Sequence, residues 1–142
     1  MTNGIIRQNF VIPADDFTAA GEASSSVKKM LIQLGVDPQK VKKTAISMYE
    51  AEINAVIHAN GGIASVEIDR NKIFIRIEDH GPGIPDVELA MKEGYTTAPD
   101  AIREMGFGAG MGLPNMKRYA DLLEIKTEVG KGTTVEITVY LS

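Results

Sequence analysis

The 142-residue sequence contains no cysteine and no tryptophan, and it has only two histidines, His58 and His80. The absence of cysteine excludes a disulfide framework, a thiolate metal site and a cysteine nucleophile. Two histidines are too few for a histidine-rich metal centre. The sequence also lacks any uninterrupted apolar run near the ~18 residues that a membrane span requires.

Positive charge is also scarce. Fifteen Lys and Arg against nineteen Asp and Glu give a formal net charge of −4. Broad binding to nucleic acids or anionic membranes requires a basic footprint, so this balance argues against both. The first twenty residues include Asp15 and Asp16 and no apolar segment typical of a secretory signal. We therefore expect a soluble, cytoplasmic protein with a single domain over residues 1–142, a length that can bury a substantial core.

The hydrophobic pattern switches between the periods of strands and of helices. Ile5 to Ile12 is rich in β-branched residues and is predicted as a strand. Residues 14–34 have helical spacing and end at Gly35, and a longer helix is predicted from Pro38 to about Ala59. The remaining predicted elements are strands over 63–69, 72–79, 123–128 and 133–141, and helices over 87–92 and 113–123.

The order of these elements predicts the α+β fold class, with helices covering one face of a mostly antiparallel sheet. Residues 94–112 form a long connection without periodicity, and such loops are usually functional. Seven of the 14 glycines lie between residues 81 and 112. A flexible linker is one explanation. The other is a phosphate-binding loop, because Gly108-Ala-Gly-Met-Gly112 leads directly into a predicted helix N-terminus. Neither the Walker A nor the dinucleotide G-x-G-x-x-G pattern matches.

Asp79 ends a predicted strand and enters a glycine-rich turn that contains Gly81 and Gly83. A carboxylate in that place can face a pocket walled by bare backbone, where it would accept a hydrogen bond from an exocyclic amine such as that of adenine. The alternative is structural, with Asp79 closing an Asx-type turn. This segment alone leaves both interpretations open.

Three polar side chains share one face of the long predicted helix. At roughly 100° per residue, Asn54 and His58 lie within about 80° of Glu50, whereas Glu52 lies about 200° away. The stretch from Ile53 to Ala59 is otherwise apolar, and unpaired polar groups buried there would cost about 1–3 kcal/mol each. Oxygen atoms of Glu50 and Asn54 beside bound phosphates would suit Mg²⁺. The alternative is a partly exposed face with nothing bound, and His58 alone fits packing or capping better than metal binding.

Four short motifs, taken in order, resemble the N, G1, G2 and terminal Gly-Thr boxes of the GHKL (Bergerat-fold) ATP-binding superfamily. The resemblance covers about residues 35–142, and the first strand and helix fit as well. The phrases EAEINAVIHANGG and GMGLPNMKRYAD are most similar to the anti-sigma-factor serine/threonine kinases, especially the switch kinases of bacterial stress signalling. The four motifs are Glu50-x-x-x-Asn54, Asp79-x-Gly81-x-Gly83, Gly108-x-Gly110-x-Gly112 and Gly132-Thr133-Thr134.

This resemblance implies an ATP site that uses Mg²⁺. Asn54 would coordinate the Mg²⁺ that bridges the phosphates, and Glu50 would be the catalytic general base that accepts the hydroxyl proton of a protein serine or threonine. Catalysis would consist of positioning and charge neutralisation at the γ-phosphoryl group. Some anti-sigma kinases carry an arginine where this chain has Gly108. Arg103 or Lys117 would therefore have to reach the γ-phosphate, or transfer would be slow.

The adenine end of the implied site is built around Asp79. Asp79 would bind the adenine amino group, Gly83 would let the base approach, and Thr134 or Thr133 would support Asp79. Residues 94–112 would be the ATP lid. The complete nucleotide-binding set implied by the resemblance is Asn54, Asp79, Gly81, Gly83, Ile84, Thr97, Gly108, Gly110, Met111, Gly112, Leu113, Thr133 and Thr134.

The resemblance implies a kinase that transfers the ATP γ-phosphate to a serine or threonine of a small antagonist protein, with a sigma factor or a phosphatase as a further partner. The alternative function is an ATP-dependent binding module that sequesters or activates a partner with little catalysis. A histidine kinase is disfavoured because no dimerisation helix pair with a phosphoacceptor histidine precedes the first strand. Related kinases often dimerise, so a homodimer is one expected state, whereas nucleic acids and membranes are not expected partners.

Overall fold

A computed structural model describes residues 5–13, 20–58, 61–81, 83 and 112–141. The predicted helix over 87–92 and the predicted connection up to residue 111 lie outside the described residues. In chain order, the described elements are β1 (Ile6–Ile12), α1 (Glu22–Gln33), α2 (Pro38–His58), β2 (Gly62–Ile68), β3 (Lys72–Glu78), α3 (Gly112–Tyr119), β4 (Leu122–Glu128) and β5 (Gly132–Tyr140).

The five strands form one antiparallel sheet in the order β1-β2-β3-β5-β4. Alternate residues of the central strands are buried, as the period-2 pattern of the sequence predicts. On β3 these are Ile73, Ile75 and Ile77, which lie opposite Val139, Ile137 and Val135 of β5. One face of the sheet is therefore continuously apolar.

The helices cover that apolar face, which confirms the predicted α+β fold class. α2 packs between α1 and α3 and also contacts β1, β2, β3 and β5. Leu31 of α1, Met48 and Val56 of α2 and Met116 of α3 are completely buried. The opposite face of the sheet is polar, with Glu136 paired to Arg76 and Lys126 at 2.9 Å each.

Helix α1 begins later than predicted, because residues 20 and 21 form a turn before Glu22. Gly21 provides no side-chain cap, and the acceptor that caps the helix comes from α2 instead. The predicted end at Gly35 is confirmed. The backbone N–H of Gly35 donates to Ile32 O at 3.0 Å and that of Val36 to Leu31 O at 3.1 Å, which is the hydrogen-bond pattern of a Schellman cap.

Helix α3 ends at Tyr119, four residues before its predicted end. The cause is Asp121, whose backbone N–H donates to Thr138 O at 3.0 Å and whose carboxylate accepts from the Tyr140 N–H at 2.8 Å. The Asp121 carboxylate also pairs with Lys43 of α2. These contacts draw the chain onto β5 and start β4 at Leu122. The other described helix and strand boundaries agree with the predictions within one or two residues.

Candidate functional site

Asp79 lies at the end of β3, where its carboxylate joins two loops. Its Oδ1 accepts hydrogen bonds from the backbone N–H groups of Gly81 and Thr133, both at 3.0 Å. The Asp79 N–H donates in turn to Thr133 O at 3.0 Å. The bond from Gly81 is the Asx-type turn that the sequence offered as an alternative. Among the described residues, none donates to the second oxygen, Oδ2.

The threonine that contacts Asp79 is Thr133, through its backbone. The sequence placed Thr134 first for this role. The side-chain hydroxyl of Thr133 has a different partner, the Thr127 hydroxyl, at 2.9 Å. Thr134 lies in register between Glu78 and Lys126, in the row of the sheet that faces away from the helices.

Gly83 and Gly132 allow the β3 end and the β4–β5 turn to approach each other closely. A Cβ atom on Gly132, whose φ is 132°, would lie 2.1 Å from Asp79 O. A Cβ atom on Gly83, whose φ is 81°, would lie 2.6 Å from Glu128 O. Backbone packing within the protein therefore already requires both glycines, a reason that the sequence did not supply.

A cleft of about 430 Å³ lies beside the Asp79 carboxylate, at the ends of β3, β4 and β5. Its two lysines are partly neutralised, because Lys126 pairs with Glu136 at 2.9 Å and Lys131 with Glu128 at 3.3 Å. The cleft makes the end of the sheet accessible from solvent. It is lined by Glu78, Asp79, His80, Lys126, Thr127, Glu128, Lys131, Gly132, Thr133 and Thr134.

Glu50 and Asn54 are half-buried on α2, whereas Ala51, Ile53 and Ala55 are buried. The expectation of a largely buried helix with a polar face is thus confirmed for its described side chains. Burial raises the pKa of the Glu50 carboxyl, and a hydrogen bond from the Asn115 side chain opposes that shift. A half-buried carboxylate with a raised pKa is suited to accepting a proton.

Glu52 has different contacts from Glu50. Its side chain is 2% exposed, and its two carboxylate oxygens accept from the backbone N–H groups of Gly21, Ala23 and Ser24 at 3.0, 3.1 and 3.0 Å. Glu52 therefore caps the N-terminus of α1 from a neighbouring helix. The angular position placed it away from Glu50, but nothing in the sequence identified its partner.

Asn115 is a functional candidate that the sequence reasoning missed. It is half-buried in the first turn of α3, between the buried residues Pro114 and Met116. Its side chain opposes the effect of burial on the pKa of Glu50, and α3 packs against α2. The sequence feature that could have indicated Asn115 is a single amide between two apolar residues at the start of a predicted helix.

The structure describes part of the predicted site. No described contact links the Asp79 group to Glu50 and Asn54, and residues 84–111, which separate Gly83 from Gly112 in sequence, lie outside the described residues. Gly112 begins α3, and Lys117 is exposed on it. Several residues named in the prediction lie outside the described set. They are Ile84, Thr97, Gly108, Gly110, Met111 and Arg103, the predicted alternative to Lys117, together with the side chains of His58 and Leu113.

The donor atoms on α2 fit Mg²⁺ bound together with phosphates. The Asn54 side chain offers a hard amide oxygen, and Mg²⁺ commonly takes only one or two protein ligands when it bridges phosphates. Within the described ranges, no group of three or more acidic or histidine side chains could hold a metal ion by itself. None of the described helices is long and apolar enough to cross a membrane.

Comparison with known proteins gives one consistent family. Residues 47–142 match the family model described as histidine kinase-, DNA gyrase B-, and HSP90-like ATPase. The chain is 40% identical over 104 residues to the anti-sigma F factor of Thermoanaerobacter sp. (strain X514), covering 70% of this chain and 68% of that protein. It is 34% identical over 130 residues to the serine/threonine-protein kinase RsbT of Bacillus subtilis (strain 168), covering 89% and 90%.

A solved structure supports the same fold. The crystal structure of the RsbU and RsbW domains of Rv1364c from Mycobacterium tuberculosis superposes with a TM-score of 0.62 at 14% identity. The match covers 94% of this chain and 32% of that one, so this chain spans about a third of the two-domain protein. At this identity the similarity establishes the fold alone.

Proposed function

Because the chain belongs to the family of histidine kinase-, DNA gyrase B- and HSP90-like ATPases, and within it to the group of anti-sigma factors and RsbT-like kinases, we infer that it is an ATP-dependent serine/threonine-protein kinase of the anti-sigma regulatory type. Its substrate is a serine or threonine of a small antagonist protein. Its further partner is a sigma factor or a phosphatase, and its place of action is the cytoplasm, where ATP is available. Residues 1–142 act as one ATP-binding domain.

The observation that carries the catalytic proposal is Glu50, a half-buried carboxylate whose pKa is raised by burial. Glu50 accepts the proton of the attacking hydroxyl as the oxygen bonds to the γ-phosphorus and the bond to the β-phosphate oxygen breaks. The raised pKa improves the match between this base and neutral pH. Asn54, one helical turn later, would hold Mg²⁺ through its amide oxygen. Bound Mg²⁺ supplies charge neutralisation at the phosphates.

At the other end of the nucleotide, Asp79 accepts a hydrogen bond from the adenine amino group. The support for this is the Asp79 carboxylate beside an accessible cleft, with Oδ1 held by the N–H groups of Gly81 and Thr133 and no described residue donating to Oδ2. An oriented carboxylate distinguishes adenine, which presents a donor, from guanine, which presents a carbonyl oxygen at the equivalent position.

The decisive experiment measures phosphate transfer. The protein is incubated with γ-labelled ATP, Mg²⁺ and candidate small antagonist proteins from the same organism, and labelled residues are identified. We expect label on a serine or threonine with wild type and with Glu124→Gln, an exposed change on β4, and none with Glu50→Gln. If wild type binds both Mg-ATP and the partner but transfers no label, the protein is a nucleotide-dependent binding module and the kinase proposal is wrong. Sedimentation of the same samples tests for a homodimer.

A further inference from the structure

We propose that Thr127 is a positioning residue for the adenine end of the site. Its hydrogen bond fixes the hydroxyl of Thr133 as an acceptor, and this favours adenine over bases that carry an oxygen in place of the amino group. The inference rests on the proposed function, because it assumes that the adenine amino group lies beside Asp79. The observation that carries it is a chain of hydrogen bonds that leads from Asp79 through Thr133 and Thr127 to Gly132.

These residues form a polar row at the end of the sheet face that the helices cover. Thr127 and Thr133 are register partners on β4 and β5. Asp79 follows β3 and exchanges two hydrogen bonds with Thr133, both at 3.0 Å. The preceding row on the same face is apolar and consists of Ile125, Val135 and Ile77. The polar row therefore begins where the hydrophobic core ends, and all three of its residues line the cleft of about 430 Å³.

The direction of the hydrogen bonds follows from the number of protons. A hydroxyl has one proton to donate, whereas a carbonyl oxygen can only accept. The Thr127 hydroxyl donates to Gly132 O at 3.3 Å, so the 2.9 Å bond between the two hydroxyls is donated by Thr133. In the opposite direction, the Thr133 proton would have no acceptor among the described residues. The Thr133 oxygen can therefore enter further contacts only as an acceptor.

An acceptor at Thr133 matches the chemistry of adenine. The adenine amino group carries two N–H donors, and in the proposed function Asp79 accepts from one of them. The Thr133 oxygen offers a second acceptor to the same edge of the base, directly or through a water molecule. A base with a carbonyl oxygen at this position would meet acceptors alone, and the unpaired polar groups would weaken its binding.

The fold itself does not require a hydroxyl at position 127. Thr127 is half-buried, and the pairing of β4 with β5 uses backbone groups that valine would supply equally well. Valine also has the β-branched shape that suits a strand. The hydroxyl therefore acts through the hydrogen bonds that it forms, and two of these lead to Thr133 and Gly132.

The test compares ATP with inosine triphosphate, which has a carbonyl oxygen where ATP has the amino group. Calorimetry with Mg²⁺ measures the affinity of the full chain for each nucleotide. In Thr127→Val the Thr133 proton is released and can turn toward the base, so we expect the ratio of ATP affinity to inosine triphosphate affinity to fall about tenfold. Thr127→Ser keeps the hydroxyl and should keep the ratio. Thr138→Val, the same change on the other face of β5, is the matched control and should also keep it.

Two further measurements separate positioning from packing. When Thr133 is already valine, adding Thr127→Val should leave the affinity ratio unchanged, because Thr127 acts through Thr133. Unfolding midpoints identify variants that fail to fold, and Thr127→Ala replaces Thr127→Val if that variant does. Neutron diffraction from the deuterated wild type tests the direction without any substitution. We expect the deuteron between the two hydroxyl oxygens to be bonded to Thr133.

The failure of this inference differs from that of the proposed function. If wild type binds neither nucleotide, or binds both equally, the adenine site itself is wrong and the role of Thr127 with it. If wild type prefers ATP but folded Thr127→Val keeps that preference, or loses affinity for both nucleotides equally, only the role of Thr127 is wrong. A deuteron bonded to Thr127 and directed at Thr133 would also overturn it.

Discussion

Glu50 and Glu52 lie two residues apart on α2 but have different surroundings. Glu52 is buried and accepts three backbone hydrogen bonds from the start of α1. Glu50 is half-buried, and the described chain offers it one neutral donor, from Asn115. The fold satisfies the first carboxylate, whereas burial raises the pKa of the second and so disfavours its ionised form.

Removing the Glu52 carboxylate should destabilise the protein and leave the chemistry intact. In Glu52→Ala, three N–H groups at the start of α1 lose their acceptor, and we expect a loss of about 2–4 kcal/mol in the free energy of unfolding. Glu52→Gln keeps one acceptor oxygen and should lose less. Urea unfolding measures both. A Glu52→Ala protein as stable as wild type would mean that α1 is capped in another way.

Glu50→Gln should have the opposite effect on stability. Since burial raises the folded-state pKa of Glu50, its ionised form is disfavoured in the folded protein above that pKa, and the penalty disappears as the pH falls through it. Replacing it with the neutral amide should therefore stabilise the protein at pH 8 by a small amount, below about 1 kcal/mol because the group is partly exposed. The gain should shrink at pH 5. Urea unfolding at the two pH values, with Glu124→Gln as control, checks the sign, and a loss of stability at pH 8 would contradict it.

Asp79→Asn should weaken ATP binding without disturbing the fold. The amide oxygen of asparagine can still accept from the N–H groups of Gly81 and Thr133, so the turn is kept. The other atom becomes an NH₂ donor and can no longer accept from adenine, so we expect a loss of about 1–3 kcal/mol in binding. Calorimetry with Mg-ATP measures this loss. Unchanged affinity together with an unchanged unfolding midpoint would remove Asp79 from the adenine site.

Local sequence signals predicted most of the helices and strands. Asp37-Pro38 starts α2 and Gly35 ends α1, as the cap and C-terminal glycine signals indicate. Two boundaries failed because contacts distant in sequence decide them. Glu52 sets the start of α1, and the bonds of Asp121 to β5 end α3 early. No pattern within a short window contains that information.

The candidate site shows the same difference between local signals, which the sequence contains, and contacts between distant segments, which it does not. The turn at Asp79 could be predicted because its residues are adjacent in sequence. The contact with Thr133 depends on the pairing of β3 with β5, and that of Asn115 with Glu50 on the packing of α3 against α2. A register or a helix contact between segments this far apart is fixed by the whole core, so the sequence left the choice between Thr134 and Thr133 open and did not indicate Asn115.

The β4–β5 turn supports the Asp79 loop, and its two glycines allow a matched test. Alanine at Gly132 would place its Cβ 2.1 Å from Asp79 O, whereas alanine at Gly130 would meet nothing within 4 Å. Both positions have positive φ, so Gly130→Ala should lose about 1 kcal/mol of stability from backbone strain alone. Gly132→Ala should lose clearly more and also weaken ATP binding. Equal effects of the two changes on stability would show that the contact with Asp79 relaxes easily.

At the scale of the whole molecule, acid should destabilise the protein through two carboxyls. Hydrogen bonds from Lys126 and Arg76 outweigh burial and lower the pKa of Glu136. Burial opposes ionisation of Asp121, but the bonds from Lys43 and the Tyr140 N–H prevail, so its pKa is also lowered. Carboxyls with lowered folded-state pKa values stabilise the protein above their ordinary values of 4.5 and 3.8 and lose that contribution as the pH falls.

We therefore expect the free energy of unfolding to be nearly constant from neutral pH down to about 5 and to fall at lower pH. Glu136→Gln and Asp121→Asn should each be less stable than wild type at pH 7 and lose less on acidification. Urea unfolding between pH 3 and pH 7 measures the slopes. A variant with the wild-type acid dependence would show that its carboxyl does not contribute.

The two proposed ends of the nucleotide site belong to different layers of the protein. Asp79 is fixed to the sheet through Thr133, whereas Glu50 and Asn54 are carried by α2. If both ends bind one nucleotide, the thickness of the hydrophobic core between the layers would set the span from adenine to the reacting phosphate. A change such as Val56→Ala touches neither end but would alter that thickness. Substitutions in the buried interior would therefore also change the distance between the two groups proposed to hold ATP.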